Sequence, residues 1–600
     1  MGGIGGIVGY NNSASIAAQV CEEMLNSLKM RGADLNGTHI SKEICLMHTC
    51  HSQLNNSSQP LRVTLGNKAY VLVFDGELYN NEALRNELYK KGHRMSDTND
   101  ATVVLYAYIA WQQNCVEKLN GVFSFAIWDG SQLFLARDRL GLRPIFYSIG
   151  AYGLVFASSI KAMLSHPQIR PVIDTNGAAE LILLGPGRTP GCGVFKNISE
   201  LGPGEHAVYI PNHGISKTTY WRLKSQTHRE DFKETVVTIR ELLMDSVNLQ
   251  LLPKEKSPAI LLSGGLDSSA VAALAKANKS FSVDYVGNDK HFSPTNFQPE
   301  DDGEYIKRMI DHLGLKHKRI VLGSDELADA LNDAMHARGL PGMADVDSAL
   351  LLFLRHVSKE TSIVFSGEGS DEIFGGYPWY QDKNRLMQNG FPWSQSVQHR
   401  AKFLLPELLK EPEAYVQARY DWTIKEAEIS YDDEPIERRI RQMYMLNLHW
   451  FLQCLAVRND TMAASAGMSV RAPFLDYRLV EYLYNVPWHF KNYENREKGL
   501  LREALKGILP DTVLFRKKSP FPKTHNPAYL TRVKDMLLPI LSDTSSPIFS
   551  LVPKAALQAL YDGQSADTNW YGQLMSYPQT IAYFLQVNMW MKDYAVIVEN

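Results

Sequence analysis

The chain is poor in the features that would place it in several common classes. Six cysteines in 600 residues (Cys21, Cys45, Cys50, Cys115, Cys192 and Cys454) are widely spaced and form no C-x-x-C pair. That excludes the usual zinc spacings and a dense disulfide framework, and it leaves thiols in a reducing compartment as the simplest expectation. No apolar run is long enough to span a bilayer, and the start carries no basic segment followed by an apolar stretch and a cleavage site. The opening MGGIGG also fails the myristoylation pattern, because position 6 is Gly6. The formal charge of -3 gives no global pull toward nucleic acid or anionic lipid. There is no internal repeat and no low-complexity tract. These absences point to a cytoplasmic protein with no nucleic-acid or membrane partner.

What is present suits two or more ordinary domains, since 600 residues at 45% hydrophobic content exceed a single core. The first part alternates short apolar runs with turns: AYVLVFDGELYN, GVFSFAIWDG, QLFLARD and GLVFASS. This predicts a largely antiparallel sheet domain with a few helices over residues 1–210. A polar, turn-rich stretch from Ile210 to Asp231 marks the expected boundary. From 232 to 600 the texture changes to apolar strands alternating with helical stretches, which predicts a doubly wound parallel sheet with a helix-rich end. The aromatic and Met-rich stripes of that end read as core rather than as cofactor contacts.

The most informative stretch is LLSGGLDSS, Leu261 to Ser269. Gly264 and Gly265 allow a tight turn with N–H groups pointing inward, while Ser263, Ser268 and Ser269 add hydroxyls at a helix start, an arrangement suited to phosphate. The stretch lacks the G-K-[ST] ending of a Walker loop. A second cluster, SGEGSDEIFGGYPWY, follows about a hundred residues later. Asp267 and Asp371 offer hard oxygen ligands to a magnesium ion bridging a triphosphate.

With LPGMADVDSALLLF, VRAPFLDYRLVEY, EKGLLREAL and RKKSPFPKTHNP, the second part resembles the synthetase domain of glutamine-dependent asparagine synthetases, a group that is similar to β-lactam synthetases and lasso peptide cyclases. The first part resembles their class II glutaminase domain, through FDGELYN, LNGVFSFAIWD and LFLARDRLGLRPIFY. The resemblance implies an N-terminal-nucleophile β-sandwich joined to a pyrophosphate-loop α/β domain that uses ATP and Mg2+. It implies adenine and ribose contacts at Leu261, Val283, Ser366 and Gly367, and pyrophosphate held by Ser263, Gly264, Gly265, Leu266, Asp267, Ser268 and Ser269. Glu368 matches the family's catalytic glutamate and Lys498 a lysine that neutralises developing charge.

The glutaminase half departs from its pattern. The nucleophilic cysteine expected behind Met1 is Gly2, the arginine expected to anchor glutamine falls at Cys50, and the oxyanion-binding asparagine is Asp75, while Gly76, Glu77 and Asp100 still match. Losing nucleophile, anchor and oxyanion donor together implies that this half makes no ammonia from glutamine. In the synthetase half Asp460 matches, but Thr461 and Ser469 replace a basic residue and a glutamate, which suggests an altered acceptor pocket formed by these three.

Three readings follow. The first is ring closure within an amino-acid-like or peptide substrate, as in lasso peptide cyclases or β-lactam synthetases; β-lactam synthetases typically carry Tyr at Glu368. A peptide substrate would bring peptide-processing partners. The second is asparagine synthesis from free ammonia, and the third a catalytically silent scaffold. The oligomeric state is left open.

Overall fold

The computed structural model describes residues 2–9, 14–54, 57–251, 258–292, 294, 300–394, 396–564, 566–572 and 574–599. The N-terminal domain is a sandwich of two six-stranded sheets. One sheet centres on Gly2–Val8, paired antiparallel with Ile44–Cys50 and with Gly153–Ala157. The other is built around Lys68–Leu78, Gly121–Trp128 and Leu133–Arg137. Their facing side chains, among them Ile4, Leu46, Val73, Ala126 and Phe156, form one core. Helices Asn81–Lys90 and Asp100–Trp111 cover the outer face of the second sheet through Leu84, Leu88, Val104 and Tyr108.

The last hairpin of the first domain reaches into the polar stretch Ile210 to Asp231. Pro211–His213 is the tip of a hairpin, Glu205–Ile210 against Gly214–Thr219, that completes the second sheet. Polar turn residues mark a hairpin as readily as a linker, and the alternation in GISKTT is too exposed to read as a strand. The chain then crosses to a helix, Phe232–Gln250, begun by a capping box of Asp231 and Glu234.

The second domain holds a five-stranded parallel sheet in the order Lys316–Leu322, Lys279–Tyr285, Ala259–Leu261, Ile363–Phe365, Ser469–Arg471. The central strands are short and apolar because helices cover both faces. Beyond it the chain is helical, and the last strand, Ile597–Val598, returns to pair with Val172–Ile173 of the first domain. The two domains therefore share one continuous core.

Two expectations are corrected. Cys21 and Cys45 are joined by a disulfide between helix Ala14–Leu28 and strand Ile44–Cys50. Their separation of 24 residues conceals that these elements pack face to face. The Met-rich stripe is core at Met443, Trp450 and Met462, but Phe451 and Leu455 also line a cavity. Among the described residues no helix is long and apolar enough to cross a membrane.

Candidate active site

A cavity of about 240 Å³ opens at the carboxyl ends of the parallel strands, where such sheets bind ligands. One end is the phosphate loop. Strand Ala259–Leu261 runs into Leu262–Gly265, and helix Leu266–Leu274 begins there, directing its first N–H groups at the cavity. Gly264 adopts φ +68°, and a Cβ on it would lie 2.7 Å from the Ile306 nitrogen, so the turn requires glycine. Ser268 Oγ accepts from the Ser263 amide at 3.2 Å and pairs with its hydroxyl at 3.0 Å, which fixes the loop's curvature. Opposite stands the loop Ser366–Gly369. A Cβ on Gly367 would lie 2.5 Å from the Ser268 nitrogen, so the two loops can touch only because position 367 has no side chain.

Charge concentrates where the loops meet. Lys498 Nζ lies 2.7 Å from Asp267 and 2.6 Å from Asp371. Its backbone is left-handed (φ 57°, ψ 31°), a conformation that costs an ordinary residue on the order of 1 kcal/mol and that aims the ammonium between the carboxylates. Burial works against that ammonium, but Asp267 and Asp371 outweigh it and hold Lys498 above the usual lysine range. Burial likewise works against the Asp371 carboxylate, yet Lys498 and Lys518 hold it at about 2. Lys518 contacts Asp371 directly, and Arg516 pairs with Asp302 while donating to the Ser263 carbonyl at 3.3 Å. Leu261, Phe281, Val283 and Ile306 form an apolar flank suited to a nucleoside.

The other end of the cavity is aromatic. Tyr377 stacks on Trp379 at 4.5 Å, and Phe451 meets both edge-on. Phe353, Met343, Leu350, Leu455 and Tyr571 complete this chamber. Its polar members are few. Glu368 sits between chamber and phosphate loop, 3.3 Å from Arg458. Glu372 accepts from the Tyr377 hydroxyl at 2.5 Å, and burial pushes its carboxyl up to about 7. The arrangement can hold a triphosphate beside a bulky, weakly charged substrate, with Glu368 between them.

Comparison with known proteins decides the family. A sequence profile described as asparagine synthase matches residues 238–592, and one described as a glutamine amidotransferase domain matches residues 1–221. Asparagine synthetase [glutamine-hydrolyzing] 3 of Bacillus subtilis is 40% identical over 617 residues, covering 100% of both chains. The chain belongs to the asparagine synthase family. Asparagine synthetase [glutamine-hydrolyzing] 1 of the same organism is 26% identical over 86% of each chain. Asparagine synthetase B [glutamine-hydrolyzing] of Escherichia coli is 24% identical over 87% of this chain and 82% of its own. Membership of the asparagine synthase family makes the chain an ATP-dependent carbon–nitrogen ligase.

In the amidotransferase domain Gly2, Cys50 and Asp75 are buried, while Gly76, Glu77 and Asp100 are half-buried. Gly2 pairs in register with Cys50, and a Cβ at position 2 would lie 2.1 Å from the Thr49 carbonyl oxygen. The Gly2 amide donates to Asp75 Oδ1 at 2.8 Å, and its carbonyl accepts from Arg31 Nε at 2.9 Å. Burial works against the Asp75 carboxylate, but Arg31 and Arg143 hold it below the usual carboxylate range. Cys50 is buried, and that burial pushes its thiol up, away from a nucleophile's requirement. Asp100 accepts from the Leu78 amide at 2.9 Å, and burial raises it to about 6.

The asparagine synthase cavity is lined by Leu261, Ser263, Gly265, Leu266, Asp267, Ser268, Val283, Ser366, Gly367, Glu368, Asp371 and Lys498. Gly264 and Ser269 stand outside its wall: Gly264 backs onto Tyr305, and Ser269, one helical step past Ser268, turns into the core. Asp460, Thr461 and Ser469 do not line this cavity. Asp460 pairs with Arg31 at 2.6 Å and Arg143 at 2.9 Å, Ser469 donates to Glu77 at 2.9 Å, and Thr461 bonds its own helix at the Val457 carbonyl. Asp460 and Ser469 thus face the amidotransferase domain. Sequence reasoning missed Arg458, Glu372, Tyr377, Arg516 and Lys518. The cation run at 516–518 was a usable signal; Arg458, inside an apolar helix, gave none.

Among the described residues no group of three or more His, Cys, Asp or Glu suits a metal. Asp267 and Asp371 converge on one cation, Lys498, and two carboxylates are the number a phosphate-bound magnesium ordinarily takes from protein.

Proposed function

We propose that the chain adenylates a carboxylate of an amino-acid-like or peptide substrate and joins it to an amine not released from glutamine, by ring closure within that substrate. One observation carries this reading: the position where a glutaminase nucleophile belongs is filled by backbone, with a Cβ there 2.1 Å from a carbonyl oxygen. The aromatic chamber supports it, since free aspartate would bring a second carboxylate and an ammonium to a wall of Tyr377, Trp379, Phe451 and Phe353.

A carboxylate is a poor electrophile until its oxygen attacks the α-phosphorus of ATP and pyrophosphate leaves. Magnesium bound by Asp267 and Asp371 would offset charge on the phosphates. The phosphate loop orients the triphosphate, and Lys498 with Lys518 and Arg516 balances the charge that pyrophosphate carries away. The amine then attacks the acyl carbon, AMP leaves, and Glu368 takes the amine's proton.

The experiment is pyrophosphate release with ATP and magnesium across amino acids and Asp- or Glu-containing peptides, with mass spectrometry of the products. A product lighter than its substrate by one water, formed without added nitrogen, is expected. Forty per cent identity to a protein named as an asparagine synthetase favours a second reading, amidation of aspartate by free ammonia. Asparagine formed with ammonium alone would establish that one in its place. No pyrophosphate with any substrate would mark a silent scaffold.

A further inference from the structure

Helix Leu452–Ser465 and strand Ser469–Arg471 are walls of the ligase domain that rest on the amidotransferase domain. Along the helix, Gln453 Nε2 donates to the Leu140 carbonyl at 2.7 Å, Asp460 takes the Arg31 and Arg143 pairs, and the Ala464 carbonyl lies 3.0 Å from His51 Nε2. Arg458 is two residues before Asp460, about 200° round the helix. It points the opposite way, into the cavity, and holds Glu368.

The strand gives a second route. Glu77 accepts from Ser469 Oγ at 2.9 Å and Arg471 Nε at 3.0 Å. The Arg471 carbonyl in turn accepts from the Ser366 amide at 2.8 Å, at the root of the loop that carries Glu368. Asp75 and Glu77 are alternate residues of one strand and so share a face. Burial works against the Glu77 carboxylate, but Arg471 holds it at about 2, so the pair stays ionised.

We propose that Asp75 and Glu77, with Arg31, are positioning residues for the ligase: through Asp460 and through Ser469 and Arg471 they fix Arg458 and the Ser366–Glu368 loop. None of the three lines the cavity. On this account the amidotransferase domain persists because positions 75 and 77 of its old substrate site became the footing of the adenylation site. The kinetic part of the proposal rests on the reading that this cavity adenylates a carboxylate.

The test uses the full chain as wild type, Arg31→Met, Arg31→Lys, Arg458→Lys and the double variant Arg31→Met/Arg458→Lys. In hydrogen exchange, Arg31→Met is expected to speed exchange of residues 366–371 and 452–460 about tenfold or more, as local opening does when its constraint is removed. Faster exchange confined to residues 2–78 would overturn the proposal. In pyrophosphate release, Arg31→Met should lower kcat about tenfold with KM for ATP within about twofold, and Arg31→Lys should restore part of it. Because Arg31 acts through Arg458, its loss should cost nothing further in the Arg458→Lys background; additive losses would overturn the coupling. Should Arg31→Met not fold, Arg31→Lys carries the exchange comparison. Wild type that releases no pyrophosphate with any carboxylate would sink the ligase reading, while hydrogen exchange would still decide the coupling.

Discussion

Two clusters of buried charge in this molecule invite comparison. At the ligase cavity, Asp267, Asp371, Lys498 and Lys518 surround open space of about 240 Å³. Where the two domains meet, Asp75, Arg31 and Arg143 with Asp460 of the ligase domain are more deeply buried and as well paired, and the Gly2 backbone is bonded among them. Both clusters shift pKa values, so perturbed titration alone does not separate a working site from a packed one. Room does. A catalytic cluster must leave the reacting atoms a place to sit; the first cluster borders about 240 Å³ and the second, at Arg31, about 30 Å³.

The comparison can be broken most sharply at Lys498. Lys498→Met should lower pyrophosphate release by about a thousandfold, because it removes the cation that balances phosphate charge and leaves two carboxylates facing each other. Steady-state release on the folded variant checks this. Next, Glu368→Gln should lower amide formation about a hundredfold while ATP–pyrophosphate exchange survives, since the proton is taken after adenylation. Loss of both reactions together would place Glu368 in the first step instead.

The packed cluster is tested by putting the nucleophile back. Gly2→Cys should give no glutamine hydrolysis and should destabilise the fold by about 1–3 kcal/mol, the usual penalty of overpacking, because its Cβ meets the Thr49 carbonyl. Ammonia production from glutamine and a melting curve read both. A Gly2→Cys protein that hydrolyses glutamine would mean the pocket still has room.

The remaining effect is one of pH. Burial raises Glu372 from 4.5 to about 7, so the folded state holds its proton where the unfolded state has lost it. Stability from this group is therefore complete below pH 4.5 and lost as pH rises toward 7, by roughly 3 kcal/mol in all. Glu77 and Asp371, each held at about 2, act in the opposite sense and only below pH 4.5. Glu372→Gln should flatten the stability profile between pH 4.5 and 7, which denaturant melts at several pH values would show.

How much of this could be read from the chain follows the same division. The phosphate loop was legible because its chemistry is local: glycines, serines and a helix start within nine residues dictate the geometry. The strand runs FDGELYN and GVFSFAIW were legible because their alternation repeats inside each element. That Asp460, Thr461 and Ser469 lie outside the cavity was not legible, for the converse reason. The partners of Asp460 and Ser469, namely Arg31, Arg143 and Glu77, lie more than 300 residues away in sequence, and which side of a buried helix faces which domain is not written in an apolar pattern. Arg458 was missed on the same ground. Gly2 was legible as an absence, but that the absence is sterically enforced needed Thr49, on a neighbouring strand.

The central claim is that the ligase takes its nitrogen from somewhere other than glutamine. The most direct measurement gives the enzyme ATP, magnesium and an accepted carboxylate substrate with glutamine labelled by 15N at its amide, and follows pyrophosphate release and product mass together. The account predicts pyrophosphate released and an amide product carrying no 15N, at a rate unchanged when glutamine is omitted. A labelled product, or turnover that stops without glutamine, would contradict it.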